Sequence, residues 1–212
     1  TECTLEVMCV NGVPAWASST RLSHPMLTVR AMPGLQWSIT LPRDGDEPGD
    51  KLVRQMGFAA LRALGMDSGI ASIGWFRQPD GTAVVADVAA RPPGKHAFSL
   101  MAHSHGADLY RAWANAVVNG VFSPIPRLFA SGVAFLRGQG EGDVVAGVEG
   151  WEAVRDALGD LVVEAVIPMP GQARAAGPEG EGYVVVRHEE TAAVDAALER
   201  IRNGVKVTMG RR

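Results

Sequence analysis

The chain has 212 residues, 47% of them hydrophobic and 20% charged, a composition that supports one large globular domain or two small ones with a real core. Its net charge of −3 and pI of about 5.9, with no basic run, remove the electrostatic case for nucleic-acid binding. Apolar stretches such as Gly132–Leu136 and Leu161–Ile167 are far too short to span a bilayer, and no signal-peptide pattern is present.

The chain opens on Thr1 rather than Met and runs almost directly into a strand, which reads as a fragment or a processed product. Thr4–Val10 and Val13–Ser18 are predicted strands around Asn11-Gly12, a hairpin signal. Cys3 and Cys9 fall at or in the first of these, roughly 20 Å apart in extended chain, beyond disulfide reach. A reducing cytoplasm is the simple reading. Leu35–Leu41 is a further predicted strand and Arg43–Gly49 a polar loop. Asp50 is placed as the cap of a helix over Lys51–Leu64, with Val53, Met56, Ala60 and Leu64 as its buried stripe and Gly65 as its stop. Ile70–Phe76 and Ala83–Ala89 form a second hairpin around Pro79-Asp80-Gly81. Helices are expected at Phe98–His103 and at Asp108–Val118, the latter burying Leu109, Trp113, Ala116 and Val117.

Gly120, Pro124 and Pro126 punctuate 119–127, and the domain boundary is placed there, giving domains 1–123 and 124–212. Strands follow at Leu128–Leu136, Val144–Val148, Leu161–Ile167, Tyr183–Arg187 and Val205–Thr208. Helices are expected at Trp151–Leu158 and from a Thr191 cap to Asn203-Gly204, and 171–182 is a Gly/Ala/Pro-rich loop. Hairpins mixed with helices, without repeated βαβ units, indicate an α+β fold.

Asp87 stands in the otherwise apolar strand Ala83–Ala89, which reads as covered on both faces. A carboxylate there requires a cation or donors against its desolvation. The residues leave two readings open, a metal ligand or a strand-end acid satisfied by backbone amides or by Arg91. Arg91 follows on a loop stiffened by Pro92-Pro93, and its planar guanidinium suits carboxylate or phosphate. Gly94-Lys95 then precede a helix whose N-terminus favours anions. His103-Ser104-His105 reads as an exposed turn rather than a metal pair. Glu189-Glu190 reads as a favourable charge near a helix start.

The stretch Gly69–Phe76, the Pro79-Asp80-Gly81 turn and Asp87-Val88-Ala89-Ala90-Arg91-Pro92-Pro93-Gly94 together resemble the metal-binding hairpin of the ATP-grasp superfamily. Gly106–Trp113 is similar to the helix start that follows in these enzymes. Glu2–Gly12 resembles the strand–turn–strand after the family's ATP lid, and Tyr183–Val207 the end of a biotin carboxylase-like C-terminal domain. The resemblance covers nearly the whole chain. It implies the C-terminal part of an ATP-grasp domain followed by a small α+β domain, within an ATP-dependent carboxylate ligase acting through an acyl-phosphate with magnesium.

On that resemblance Asp87 is the second metal-binding acid and Arg91 the phosphate- or substrate-contacting, catalytic Arg. Arg21 and Lys95 are further substrate candidates. Gly74 stands where the first acid is expected and Ala89 where many members have Asn. The lid, its lysines and a substrate domain would precede position 1, so the isolated chain is expected to be inactive. The implied partners are carboxylate and nucleophile substrates and the other half of the protein. The oligomeric state, self-association included, stays open. The alternative is a degenerate, non-catalytic relative that keeps the fold for binding or assembly.

Overall fold

The computed structural model describes residues 1–43 and 49–212. Residues 44–48 of the predicted 43–49 loop lie outside the described residues. Two compact units result, one from Thr1–Arg21 with Leu41–Phe129 and one from Leu22–Thr40 with Ala130–Arg212. The second unit therefore takes residues 22–40, which the sequence division groups with the first domain. Both units are α+β, built on mainly antiparallel pairing, with one parallel pair, β11 with β7, in the small sheet of the second unit.

In the first unit β1 (Glu2–Val10) and β2 (Val13–Leu22) form the expected hairpin. Asn11 at φ 50° and Gly12 at φ 76° both take the left-handed region that a tight two-residue turn requires. Two more strands, called here the hairpin strands, come from Gly69–Arg77 and Ala83–Ala89. Outward from β2 the order is β2, β1, Gly69–Arg77, Ala83–Ala89, all antiparallel.

Alternation divides β1 cleanly. Cys3, Leu5, Val7 and Cys9 join Ala71, Ile73 and Trp75 in a core that also takes Val53 and Leu61 from the helix Asp50–Ala63. Thr4, Glu6 and Met8 face the other way. Met8 and Ile70 pack there with Phe98, Met101, Leu109 and Ala116 from the helices Lys95–His105 and Leu109–Asn119.

Several local expectations are corrected. The buried stripe of the Asp50–Ala63 helix is Val53, Gly57 and Leu61, whereas Met56 is 37% and Leu64 69% exposed. Gly57 sets this phase, because a Cβ on it would meet Ile73 Cδ1 at 2.7 Å, so the helix lies closest to the sheet along that line. Gly49 is the cap, and Asp50 lies buried in the first turn with Arg77 Nη2 at 3.7 Å from its Oδ1. Val117 is half exposed. His103-Ser104-His105 ends a helix rather than forming an exposed turn: Ser104 and His105 are buried, and His105 Nδ1 lies 3.0 Å from the Pro126 carbonyl. Cys3 and Cys9 are buried, and neither is in a disulfide among the described residues.

Numbered in chain order, the strands of the second unit are β3 (Trp37–Leu41), β6 (Ala130–Leu136), β7 (Gly138–Gln139), β8 (Val144–Glu149), β9 (Val162–Val166), β10 (Gly182–His188) and β11 (Lys206–Gly210). The hairpin strands of the first unit are accordingly β4 (Gly69–Arg77) and β5 (Ala83–Ala89). The helices are α1 (Met26–Ala31), α2 (Asp50–Ala63), α3 (Lys95–His105), α4 (Leu109–Asn119), α5 (Trp151–Leu158) and α6 (Thr191–Gly204). In the second unit β3, β6, β10 and β9 are neighbours in that order, and β7, β11 and β8 make a small sheet.

The stripe Val194, Ala197, Leu198 and Ile201 of α6 closes the core over Ala134, Leu136, Val184 and Val186. Trp37 stacks on Phe135 with centroids 4.4 Å apart and donates from Nε1 to the Pro178 carbonyl at 2.7 Å. Helix α1 and strand β7 have no counterpart in the sequence reading. No helix among the described residues is long and apolar enough to cross a membrane.

Candidate functional site

Register across the first unit's sheet builds one polar face. Asp87 of β5 pairs with Gly74 of β4, Gly74 with Thr4 of β1, and Thr4 with Thr20 of β2. The neighbouring row is Ala89, Ser72, Glu6 and Ser18. Side chains two apart along a strand share a face, so the two rows stand side by side. The Thr4 and Thr20 hydroxyls lie 2.7 Å apart, and Ser72 Oγ donates to Glu6 Oε1 at 3.0 Å. Arg127 reaches the same face, donating from Nη2 to Ser18 Oγ at 2.6 Å and from Nη1 to the Pro42 carbonyl.

A β-bulge aims Asp87. Gly74 pairs with Asp87 and Trp75 with Val85, which leaves Ala86 as the extra residue. A Cβ on Gly74 would fall 2.1 Å from Asp87 Oδ1, so the carboxylate lies over the bare glycine. The turn before the strand is held by Asp80, whose Oδ1 accepts from Thr82 N at 3.0 Å and Thr82 Oγ1 at 2.7 Å.

The expectation that β5 is covered on both faces is wrong. Most of the strand is exposed or half-buried, and Asp87 and Arg91 are both exposed. Asp87 thus avoids the desolvation that its apolar neighbours suggest. Arg91 donates from Nη1 to the Pro92 carbonyl at 3.1 Å.

The buried acid of this face is Glu6, which the sequence reading passed over. It is fully buried, and Oε2 has no hydrogen-bond partner among the described residues. Burial pushes its pKa up to about 7, hydrogen bonds from Thr4 and Ser72 and the Arg91 charge pull it down, and the Asp87 charge adds to the rise. Glu6 therefore lies within electrostatic reach of both Asp87 and Arg91. The alternation of Thr4-Leu5-Glu6-Val7-Met8 places Glu6 on the face of Thr4, but nothing in it marks that face as buried.

Arg21 pairs with Cys3 and so lies on the opposite face of β1 and β2 from Asp87 and Glu6. Lys95 is the first residue of α3, after Gly94. Among the described residues no group of three or more His, Cys, Asp or Glu side chains could hold a metal ion. A site with two bridging carboxylates on the hairpin does not fit, because Gly74 carries no donor. One carboxylate, Asp87, fits the weaker demand of a magnesium ion held mainly by substrate phosphates and water.

No family model matches the sequence, and no curated protein matches it. Solved structures do. An L-amino acid ligase from Bacillus licheniformis superposes with a TM-score of 0.73 at 17% identity, over 99% of this chain and 54% of that one. A phosphoribosylglycinamide synthetase from Anaerococcus prevotii gives 0.72 at 12% identity, over 99% and 53%. The biotin carboxylase domain of a single-chain bacterial carboxylase gives 0.58 at 14% identity, over 96% and 46%. The chain has the fold of these ATP-grasp ligases and spans about half the length of their chains.

Proposed function

We propose that the chain forms one wall of the nucleotide site of an ATP-dependent ligase that joins a carboxylate to a nucleophile through an acyl-phosphate. The observation that carries this reading is Asp87, aimed by the Ala86 bulge onto the polar face and standing near Arg91 and Glu6, within an ATP-grasp fold. The other wall would come from the half of the fold that this chain does not span.

In this reading Asp87 holds magnesium together with the nucleotide phosphates, and bound magnesium supplies charge neutralisation as the phosphoryl group moves. Arg91, exposed at the end of β5, offers a planar fork to phosphate or carboxylate oxygens. Glu6, with a pKa of about 7, is an acid close to half ionised at neutral pH. It adds less negative charge beside Asp87 than an ordinary glutamate would. Lys95, at the start of α3, is a substrate candidate. Arg21 would serve only a ligand that reaches the opposite face of the sheet.

Gly74 favours a second reading, a degenerate relative that keeps the fold for binding or assembly. The empty place of the first acid is filled by Asp87 itself. Calorimetric titration with magnesium–ATP separates the two, applied to the 212-residue chain, to the full gene product and to the Asp87→Ala and Gly74→Glu variants of the latter. The ligase reading expects no saturable heat from the chain alone, binding by the full product, and its loss in Asp87→Ala. Absence of binding by the full product, recovered in Gly74→Glu, establishes the degenerate relative. Tight binding by the chain alone overturns the assignment of this chain as half a site.

A further inference from the structure

Residues 121–129 form neither helix nor strand, and they carry the chain from α4 to β6. The first unit holds this segment as a strap. Phe122 and Ile125 pack against the core beneath α3 and α4. The Ser104 carbonyl, in the last turn of α3, accepts from both Leu128 N at 2.9 Å and Phe129 N at 3.1 Å. Arg127 donates to Ser18 Oγ and to the Pro42 carbonyl. Ser18 pairs with Glu6, so the strap sets a guanidinium on the polar face, in the row of the buried acid.

The remaining hold on the strap is His105, which is 4% exposed. Its Nδ1 lies 3.0 Å from the Pro126 carbonyl. A carbonyl only accepts, so Nδ1 carries the proton of the neutral ring. Nε2 is then a bare lone pair, buried and without a hydrogen-bond partner among the described residues. A second proton would have no acceptor there and would bury a charge. From β2 the ring meets Trp16, edge-on with centroids 5.3 Å apart, and from the strap it meets the charge of Arg127. No carboxylate among the described residues offsets an imidazolium. Burial presses the pKa of His105 down and Arg127 adds to the fall, while the main-chain bonds at Pro126 and Ile125 work against them. Relief of the imidazolium requires water at Nε2 and distance from Arg127, and lifting the strap supplies both.

We propose that His105 is a pH-operated latch, which holds the strap closed while its imidazole is neutral and frees it on protonation, withdrawing Arg127 from the polar face. The latch uses residues of the first unit alone and does not depend on that face holding a nucleotide. The sign follows from the closed state excluding the charged ring. The strap's stability is complete above the ordinary histidine value of about 6.5 and is lost as pH falls below it toward the closed-state value.

The test is amide hydrogen exchange followed by NMR from about pH 8 to about pH 5, with the imidazole resonances of His105 titrated in the same samples, on the unmodified chain, His105→Asn and His103→Asn. Asn keeps a donor at the place of Nδ1 and takes no charge, and His103 lies two residues earlier on the same helix. In the unmodified chain the Leu128 and Phe129 amides are expected to keep constant protection above about pH 7 and to lose it below about pH 6.5, roughly tenfold per pH unit until the closed-state value is passed. They should exchange ahead of the Leu5 and Val7 amides of β1. His103→Asn should retain the transition and His105→Asn should lack it. The imidazole titration keeps the proposal open to failure even if His105→Asn does not fold. A midpoint at or above about 6.5, as a Trp16 ring welcoming the cation would give, overturns it. So does the same fall in protection in His105→Asn, and so does equal protection of strap and β1 at every pH, which would mean that the strap opens only when the unit unfolds.

Discussion

At the scale of single residues, the face that matters is organised around two acids with opposite surroundings. Asp87 is exposed and is carried by a largely exposed strand, whereas Glu6 is buried on the same face with one oxygen unbonded among the described residues. A carboxyl raised from 4.5 to about 7 binds its proton more tightly in the folded state than in the unfolded one. Its stabilising contribution is complete below the unfolded pKa and is lost as pH rises through the folded one. Glu6→Gln is therefore expected to be neutral near pH 4 and to stabilise the protein by about 3 kcal/mol above pH 8, read as the difference between urea titrations of variant and parent across that window. His105 acts in the opposite sense, since burial lowers its pKa and its contribution falls as pH drops below about 6.5. Subtracting variant from parent removes it. Asp87 and Arg91 were legible because an acid and an Arg interrupt apolar and Pro-rich surroundings. Glu6 was not, because a polar residue in an alternating strand reads as solvent-facing and nothing local reveals that this part of the face is buried.

At the scale of elements, the hairpins were legible to within a residue or two, since Asn11-Gly12 and Pro79-Asp80-Gly81 announce their own geometry. Helix phase was not. The stripe predicted for α2 follows side-chain hydrophobicity, and the real one follows Gly57, a residue with no hydrophobic side chain whose value is the space it leaves for Ile73 and Leu5. The six-residue α1 is too short to show a period at all. Glycine has a comparable steric role at the joint of α5 and α6. Gly150 precedes α5 at φ +79°, and a Cβ there would fall 2.0 Å from the Gly204 carbonyl at the end of α6. Gly150→Ala is expected to lose about 3 kcal/mol or more through left-handed backbone strain and a clash with main chain that cannot rotate away. Equilibrium denaturation checks this, and a loss below roughly 1 kcal/mol would mean that the joint can open without cost.

At the scale of the whole molecule, the chain leaves the first unit after Arg21, returns at Leu41 and leaves again after Phe129. No local pattern announces such an excursion, because it is set by which sheet the strand Trp37–Leu41 joins. Its anchor is Trp37, 3% exposed, stacked on Phe135 and bonded to the Pro178 carbonyl. Trp37→Ala is expected to cost the second unit about 3 kcal/mol or more. Hydrogen exchange should show protection lost in β6 and β10 and retained in β1 and β4, whereas equal loss in both units would mean that they unfold as one. A last consequence lies in the extra residue of β5. That strand is outermost in its sheet, where an unbroken ladder of amides and carbonyls would invite the edge of a second molecule. The bulge at Ala86 breaks that ladder in mid-strand, the Asp87 carboxylate stands beside the break, and Pro92-Pro93 follow close behind. The irregularity that turns Asp87 onto the polar face thus also guards the open flank of the sheet against fibrillar self-pairing.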